Sequence, residues 1–389
     1  MARFLFVVPP FAGHINPSIA VGAVLQARGH AIAWVGYQSI LEGRLPDGAR
    51  GYPLQSAQSP EWIADLVARI RSVRGLRNLK LTWGELFVPM ARDMARGVDQ
   101  AVEDFRPDVL VVDQQALAGA LIARRRGLRW ATSATSPADR VRSLAALPKV
   151  LAWTDELIVA LQRDFGLDPV GVPEDSPELV LLFSTPELAG PLEDFPPQYR
   201  LVGPAIERRR ETVDFPWDAL ESGPRVLLTL GSLNAERGRR VFELAKEALG
   251  GLPIQVIAVA PEGLGPYPPN FIARSWVPQL ELLAEIDAVV CHGGNNTVSE
   301  ALAFGLPLVV IPITDDQPVL AQRVSAAGCG VRLSYPRLRA EGLRDAVTRV
   351  LSEAGFREAA RRIRESIAQA GGAERAADLL EELAEEDGK

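Results

Sequence analysis

The sequence predicts an α/β protein of two domains, each built around a parallel β-sheet with helices packed on it. Two short apolar runs, at residues 4–8 and 31–35, flank a stretch with a helical apolar stripe. This pattern is typical of the strand–helix–strand unit of a parallel sheet. The same alternation returns between residues 225 and 312. A chain of 389 residues is long enough for two domains that each bury a core.

A break in composition separates the two halves. Residues 203–224 contain two Gly-Pro pairs and a run of three arginines, which is typical of a linker. Further strands are predicted at residues 109–112, 129–133, 179–184, 225–230, 254–260, 271–276, 288–291 and 308–312. Residues 56–100 have a helical pattern, whereas the proline-rich residues 135–200 are predicted to be irregular apart from their strand.

Composition argues against several classes of protein. With 42 basic and 49 acidic residues the formal net charge is -7, which disfavours nucleic-acid binding. The two cysteines, Cys291 and Cys329, form neither a disulfide framework nor a zinc spacing, which favours a reducing compartment. Without a signal-peptide pattern or a run of about 18 apolar residues, the expectation is a cytoplasmic protein without a membrane span. The basic runs interpreted as solvated surface are residues 124–126, residues 208–210 and the series Arg69, Arg71, Arg74, Arg77 and Lys80.

The carboxyl ends of the predicted strands carry the unusual side chains, and ligands of open α/β sheets bind at that edge. His14 follows the first strand in a glycine-led turn, before a helix predicted to start at Asn16 and Pro17. Asp113 ends another strand of the same sheet. His14 and Asp113 are therefore a candidate general base and its orienting carboxylate. The alternative is a capping histidine with a structural carboxylate, and His30 is interpreted as structural.

The segment from His292 to Glu300 carries the strongest pattern of the second half. A buried strand ends, two glycines follow, and a helix is predicted from Thr297. Backbone N–H groups and the positive helix end form an anion site, to which His292, Asn296 and Thr297 add donors. Glu300 suits ribose hydroxyls, and the alternative for the glycines is a plain tight turn. The chain lacks the P-loop and early Gly-x-Gly-x-x-Gly motifs, which disfavours P-loop and NAD-binding proteins.

Two further groups extend this candidate ligand site. Trp276 follows a short strand, where an indole can stack on a nucleobase, although a loop tryptophan also fits a core. Asp315, Asp316 and Gln317 follow another strand and suit the hydroxyls of a sugar. The two aspartates could also bind a metal, but no third ligand is evident in the sequence.

Together these residues resemble the family 1 glycosyltransferases, which include plant natural-product enzymes and bacterial antibiotic and carotenoid enzymes. Residues 10–17 are similar to the family's N-terminal element with its catalytic histidine, Asp113 to its partner aspartate, and residues 276–317 to its donor-binding box. The resemblance spans nearly the whole chain. Asn295 stands where the plant box has tryptophan, so the bacterial branch fits better.

The resemblance implies a GT-B fold, with two Rossmann-like domains whose parallel sheets face each other across a cleft. Residues 1–205 would bind the acceptor, residues 206–370 the donor, and residues 371–389 would form a helix that returns to the first domain. His14 and Asp113 would be catalytic. The implied donor-binding residues are Trp276 and Val277 at the base, Gln279 and Glu300 at the ribose, Gly231, Ser232, His292, Asn296 and Thr297 at the diphosphate, Asp316 and Gln317 at the sugar, and Gly294 and Asn295 in the same box.

The implied reaction is a one-step inverting displacement in which His14 removes the acceptor proton. The helix N-terminus and His292 would stabilise the leaving diphosphate, so neither a metal nor a cofactor is expected. The donor would be a UDP- or TDP-hexose, and the acceptor a hydroxyl of a small natural-product aglycone. The apolar residues 82–90 suggest an apolar aglycone, and a core role fits them equally well. Monomer and homodimer both remain open.

Three alternatives to transfer by a soluble enzyme remain. A sugar-nucleotide 2-epimerase on the same scaffold needs no acceptor site, so the insertion-like residues 56–100 and 135–200 favour transfer. A non-catalytic activator protein is expected to lose the site residues, which are present here. The basic series from Arg69 to Lys80 leaves peripheral membrane contact open.

Overall fold

The chain separates into two compact units. The first unit comprises Met1–Phe183, Pro191–Glu207 and Gly371–Lys389, and the second comprises Ser184–Gly190 and Arg208–Ala370. The computed structural model describes residues 1–46, 48–56, 61–73, 75–136, 148–206, 214–231, 238–313 and 317–385. The short segment Ser184–Gly190 belongs to the second unit, unlike the division drawn from composition, because Leu188 is buried in the apolar core of that unit.

Parallel strands form one sheet in each unit. The strands are β1 (Arg3–Val7), β2 (Ala31–Tyr37), β3 (Arg50–Leu54), β4 (Val109–Asp113), β5 (Trp130–Ala134), β6 (Leu179–Leu182), β7 (Tyr199–Leu201), β8 (Arg225–Thr229), β9 (Gln255–Val259), β10 (Phe271–Arg274), β11 (Ala288–Cys291), β12 (Leu308–Val310) and β13 (Gly330–Arg332). The first sheet has the order β3-β2-β1-β4-β5-β6-β7 and the second β10-β9-β8-β11-β12-β13. The predicted α/β class with two parallel sheets is therefore confirmed.

Helices connect the strands of both sheets. They are α1 (Ala12–Ala27), α2 (Gln38–Leu41), α3 (Trp62–Ser72), α4 (Leu76–Leu81), α5 (Val88–Phe105), α6 (Leu117–Arg126), α7 (Pro148–Asp164), α8 (Pro186–Ala189), α9 (Arg239–Leu249), α10 (Gln279–Leu283), α11 (Asn295–Ala303), α12 (Gln317–Ala326), α13 (Ala340–Ser352), α14 (Ala354–Ala370) and α15 (Gly372–Glu385). A π-helical turn, Thr82–Phe87, leads into α5, and 3-10 turns cover Leu192–Asp194, Trp217–Ala219 and Tyr335–Arg337.

Helix α7 lies in the region that was predicted to be irregular, and that prediction was wrong for these residues. The helix is described over Pro148–Asp164. Thr154, Ile158 and Leu161 are buried and lie on one helical face. Burial of this apolar face therefore stabilises a helix within the proline-rich region.

Alternate residues of the central strands pack against opposite helix layers. In the second unit Val226 and Leu228 belong to an apolar cluster with α9 and α13, while Leu227 belongs to a cluster with α11, α12 and α14. A sheet covered on both faces needs apolar side chains at successive positions, which explains the continuous apolar runs in the sequence.

Helix α15 completes the core of the first unit. Its residues Ala376 and Leu380 are fully buried in the same apolar cluster as β1 and β4. Arg28, at the end of α1, forms ion pairs of 2.7, 2.9 and 2.6 Å with Glu374, Asp378 and Glu381. Because surface ion pairs contribute little, the apolar contact accounts for most of the docking of α15.

The apolar stretch 82–90 contributes mainly to the core. Leu86, Val88 and Met90 are 4%, 3% and 0% exposed. Trp83 and Phe87 are half-buried, with their rings nearly perpendicular and their centroids 5.4 Å apart. Of the two interpretations of this stretch, the core role therefore accounts for most of its side chains.

The basic run at residues 124–126 lies at the surface. Arg125 and Arg126 pair with Asp99 at 3.0 and 2.5 Å, as expected of a solvated face. Residues 208–210 and Arg74 lie outside the described residues. In the described part of the chain, no helix combines the length and apolar character that a membrane span requires.

Gly22 of α1 lies against the fully buried indole of Trp34. A Cβ at this position would lie 2.4 and 2.7 Å from two ring atoms. We expect Gly22→Ala to destabilise the first unit by about 1–3 kcal/mol through overpacking, even though alanine is the better helix former. Gly171→Ala, whose Cβ meets no atom within 4 Å, is the matched control. Equal urea midpoints for the two variants, followed by tryptophan fluorescence, would contradict the close packing.

Candidate active site

The first candidate residues lie where β1 and β4 end side by side. These strands pair in parallel, with Val7 opposite Val112, so their carboxyl ends reach the same edge of the sheet. The strand order of the sheet reverses here, since β2 lies on one side of β1 and β4 on the other. Open α/β sheets bind ligands at such a switch point.

His14 lies in the first turn of α1 and not in a turn before the helix. The N–H groups of His14 and Ile15 bond the carbonyl of Phe11 at 3.0 and 3.2 Å, which starts the helix earlier than Asn16 and Pro17 predict. Pro17 therefore lies inside α1, where it removes one helical hydrogen bond. The helix backbone thus fixes the position of His14 relative to β1.

The structure brings His14 and Asp113 together. Nδ1 of His14 lies 2.9 and 3.0 Å from the two carboxylate oxygens of Asp113. The histidine side chain is 15% exposed and the aspartate 1%. A carboxylate accepts hydrogen bonds, so this contact favours a proton on Nδ1 and leaves Nε2 as the basic nitrogen. This is the arrangement that a histidine general base needs.

Thr135, which the sequence pattern did not single out, is a third member of this group. It directly follows β5, the neighbour of β4 in the sheet, and it is 4% exposed. Its Oγ1 lies 2.9 Å from Nδ1 of His14 and 3.3 Å from Oδ2 of Asp113. A single threonine after a strand has no distinctive sequence pattern, so only the fold reveals it.

His30 has a different environment from His14. The backbone N–H of Ala2 donates to its Nδ1 at 3.1 Å, and its Nε2 lies 2.6 Å from Oε1 of Glu381 in α15. Both ring nitrogens therefore hold elements of the fold together, in keeping with the structural interpretation of this residue.

In the second unit, the corresponding switch point between β8 and β11 holds His292. Gly231 follows β8 with φ +68°, and a Cβ on it would lie 2.9 Å from Cε1 of His292. A Cβ on Gly294 would lie 2.4 Å from Nε2 of the same ring. The imidazole, which is 8% exposed, is thus packed between two glycines, and neither position can take a side chain without moving it.

Helix α11 begins directly after these glycines. Its N-cap is Gly294, and Asn295, Asn296 and Thr297 form its first turn, so the helix starts two residues earlier than predicted. Residues 294–297 are all half-exposed, which leaves the helix N-terminus accessible. The first N–H groups of a helix have no intrahelical acceptor, and its dipole is positive at this end. The turn therefore suits an anionic ligand such as a phosphate.

A hydrogen bond joins the Trp276–Gln279 segment to α11. Nε2 of Gln279 donates to Oε2 of Glu300 at 2.5 Å, and Glu300 is 6% exposed. Trp276 is 56% exposed, whereas the neighbouring Val277 is 4% exposed and packs in the apolar cluster beneath. The indole is therefore available to a ligand, and the core alternative for Trp276 was wrong.

Gln317 begins α12 on the other side of the glycine turn. A Cβ on Gly293, which has φ +90°, would lie 3.4 Å from the carbonyl oxygen of Gln317. The backbone N–H of Ile313 donates to Oε1 of Gln317 at 2.8 Å. This bond fixes the oxygen end of the amide, and the opposite end carries the donor group Nε2. The predicted residues Ser232 and Asp316 lie outside the described residues.

Two groups of candidate residues therefore exist, one in each unit. The first can transfer a proton through His14, and the second offers donors for an anion together with an exposed indole. Within the described ranges, no three His, Cys, Asp or Glu side chains are grouped so as to hold a metal ion.

Comparison with known proteins shows which protein family this chain is similar to. Residues 247–383 match the family model described as erythromycin biosynthesis protein CIII-like, C-terminal domain. The chain is 31% identical to 4'-demethylrebeccamycin synthase of Lentzea aerocolonigenes, over 98% of this chain and 99% of that protein.

Solved structures share this fold along nearly the whole chain. The glycotransferase of kitacinnamycin superposes with a TM-score of 0.84 at 26% identity, covering 98% of this chain and 99% of the other. The spinosyn rhamnosyltransferase complexed with thymidine diphosphate has a TM-score of 0.75 at 25% identity, covering 97% and 100% of the two chains. These are two-domain glycosyltransferases of the GT-B class.

The thiols of Cys291 and Cys329 are buried, which raises the pKa of each to about 12. Because the thiolate is the reactive form, we expect neither cysteine of the native protein to react with a chromogenic disulfide reagent near neutral pH. Both should react after unfolding in guanidinium chloride. Rapid modification of one thiol in the native protein would contradict this burial and make that cysteine a candidate nucleophile.

Proposed function

Because the chain belongs to the bacterial natural-product branch of the family 1 glycosyltransferases, we propose that it moves a hexose from a UDP- or TDP-sugar to a hydroxyl of a small, apolar aglycone, with inversion of the anomeric carbon. The observation that carries this proposal is the 2.9 Å contact of His14 with the buried Asp113 at the switch point of the first sheet. A base in this position can accept the proton of an acceptor hydroxyl while a sugar is transferred to its oxygen.

The second unit supplies the features that a nucleotide sugar requires. The exposed indole of Trp276 offers a stacking surface for the base. The N-terminus of α11 and the ring of His292 offer donors for the diphosphate. Glu300 offers a carboxylate for ribose hydroxyls, and the Nε2 group of Gln317 a donor for the sugar. The thymidine diphosphate complex of the spinosyn relative favours a TDP-sugar among the two donors.

In the proposed step the acceptor oxygen attacks the anomeric carbon while its proton passes to Nε2 of His14. The bond between that carbon and the diphosphate oxygen breaks at the same time, so the sugar configuration inverts. Asp113 stabilises the imidazolium that forms. The negative charge on the departing diphosphate is met by the N–H groups of α11 and by His292. These groups stabilise the negative charge of the diphosphate, as a divalent cation does in metal-dependent transferases, so we propose that no metal is required.

The first test is calorimetric titration with UDP, TDP, NAD and ATP in the presence of EDTA. We expect binding of UDP or TDP and no binding of the other two. Glu300→Ala should weaken that binding by about 10- to 100-fold, the loss expected for hydrogen bonds to a charged group. Glu281→Ala, which removes an exposed carboxylate from the neighbouring α10, is the matched control and should bind as the unaltered protein does.

Other results of this titration would redirect the proposal. A folded protein that binds neither UDP nor TDP would support the non-catalytic activator instead. If UDP or TDP binds, and incubation with the corresponding sugar nucleotide then yields its 2-epimer without transfer to any aglycone, the epimerase is supported. Binding that requires added magnesium and is lost in EDTA would contradict metal independence.

Replacing His14 tests the base. We expect His14→Ala to lower kcat for an aliphatic hydroxyl acceptor by about 100- to 10,000-fold, the usual contribution of a general base. The nucleotide Kd should stay unchanged, because His14 belongs to the first unit and the nucleotide groups to the second. His30→Gln is the control histidine variant and should retain kcat. Unchanged turnover in His14→Ala would refute the assignment.

A further inference from the structure

The hydroxyl of Thr135 is buried beside both members of the His14–Asp113 pair. Three oxygen atoms surround Nδ1 of His14: the two carboxylate oxygens at 2.9 and 3.0 Å and Oγ1 of Thr135 at 2.9 Å. Such a cluster of oxygens around one nitrogen favours a proton on that nitrogen, because an unprotonated Nδ1 would direct its own lone pair at them.

The proton of the threonine hydroxyl has a clear acceptor. Oγ1 of Thr135 lies 3.3 Å from Oδ2 of Asp113 and donates to it, so its lone pairs are left to face the Nδ1–H of His14. The other carboxylate oxygen, Oδ1, accepts the backbone N–H of Gln115 at 2.9 Å. Both oxygens of Asp113 therefore receive a donor besides the histidine, which stops the carboxylate from rotating away from the ring.

We propose that Thr135 is a positioning residue that holds Asp113 and thereby fixes His14 in its Nδ1–H tautomer, with Nε2 directed to act as the base. This inference rests on the proposed function for its consequence in catalysis, but the tautomer itself is a property of the free protein. The other tautomer would put the proton on Nε2, where no proton could be accepted from a substrate, so the fraction of active enzyme follows the tautomer ratio.

A second buried threonine, on β5 itself, provides a matched control. Thr132 is fully buried, donates to the carbonyl of Glu174 at 2.8 Å and accepts the N–H of Ser176 at 2.8 Å. Its hydroxyl links segments of the fold and touches neither His14 nor Asp113 in the described contacts. Thr132→Val therefore removes a buried hydroxyl of the same kind without altering the histidine.

The experiment combines histidine-selective ¹⁵N NMR with kinetics for Thr135→Val, Thr135→Ser and Thr132→Val. The chain has three histidines, so His14→Ala identifies the His14 signals. We expect the Nδ1–H tautomer in the unaltered protein, a mixture of tautomers in Thr135→Val, and the original spectrum in Thr135→Ser and Thr132→Val. In Thr135→Val, kcat should fall about 10- to 100-fold, with the nucleotide Kd unchanged and with recovery to within about 3-fold in Thr135→Ser.

The outcomes separate this inference from the proposed function. An unaltered His14 spectrum in Thr135→Val overturns the positioning role, whatever the activity. Equal loss of kcat in Thr135→Val and Thr135→Ser, or in Thr132→Val, also overturns it, because the hydroxyl beside His14 would not be the cause. A shifted tautomer in Thr135→Val, in a protein that transfers no sugar at all, supports the positioning role and counts against the transferase.

Discussion

The arrangement of both candidate groups depends on one constraint, the parallel pairing of strands in sheets covered by helices on both faces. Because β1 pairs with β4 and β8 with β11, the carboxyl ends of these strands lie side by side. The strand order reverses at the same two places, and open α/β sheets bind ligands at such switch points. His14 with Asp113 occupies one such place and Gly231 with His292 the other.

The two histidines at these places are held by different means. His14 is oriented by hydrogen bonds, since Asp113 and Thr135 surround one of its nitrogens. The ring of His292 is confined by close packing, since Gly231 and Gly294 lie too close to it for any side chain. The first arrangement sets which nitrogen carries a proton, as a base requires. The second sets where a donor points, as stabilisation of a fixed negative charge requires.

Sequence patterns predicted the central strands of both sheets and the pairing of His14 with Asp113, because parallel topology places strand ends predictably. They did not predict the edge strands β3, β7 and β13. They misjudged local details that tertiary contacts decide. The N–H bonds to Phe11 start α1 before Asn16, and burial of Ile158 stabilises α7 in a proline-rich stretch. Thr135 was missed because its partners come from the first turn of α1 and from the end of β4, and this proximity has no signature in the sequence around Thr135.

The docking of α15 has a consequence for biosynthesis. The first unit buries Ala376 and Leu380 beside residues from the beginning of the chain, so its core is assembled from the two extremes of the sequence. A ribosome makes about 5–20 residues each second. Synthesis of residues 208–370 therefore takes many seconds, during which the surface of the first unit that contacts α15 stays uncovered. The second unit, whose segments from Ser184 to Ala370 emerge earlier, can close its own core before the first unit is finished. The unit whose synthesis begins first is therefore the one whose core needs the last helix of the chain to be made.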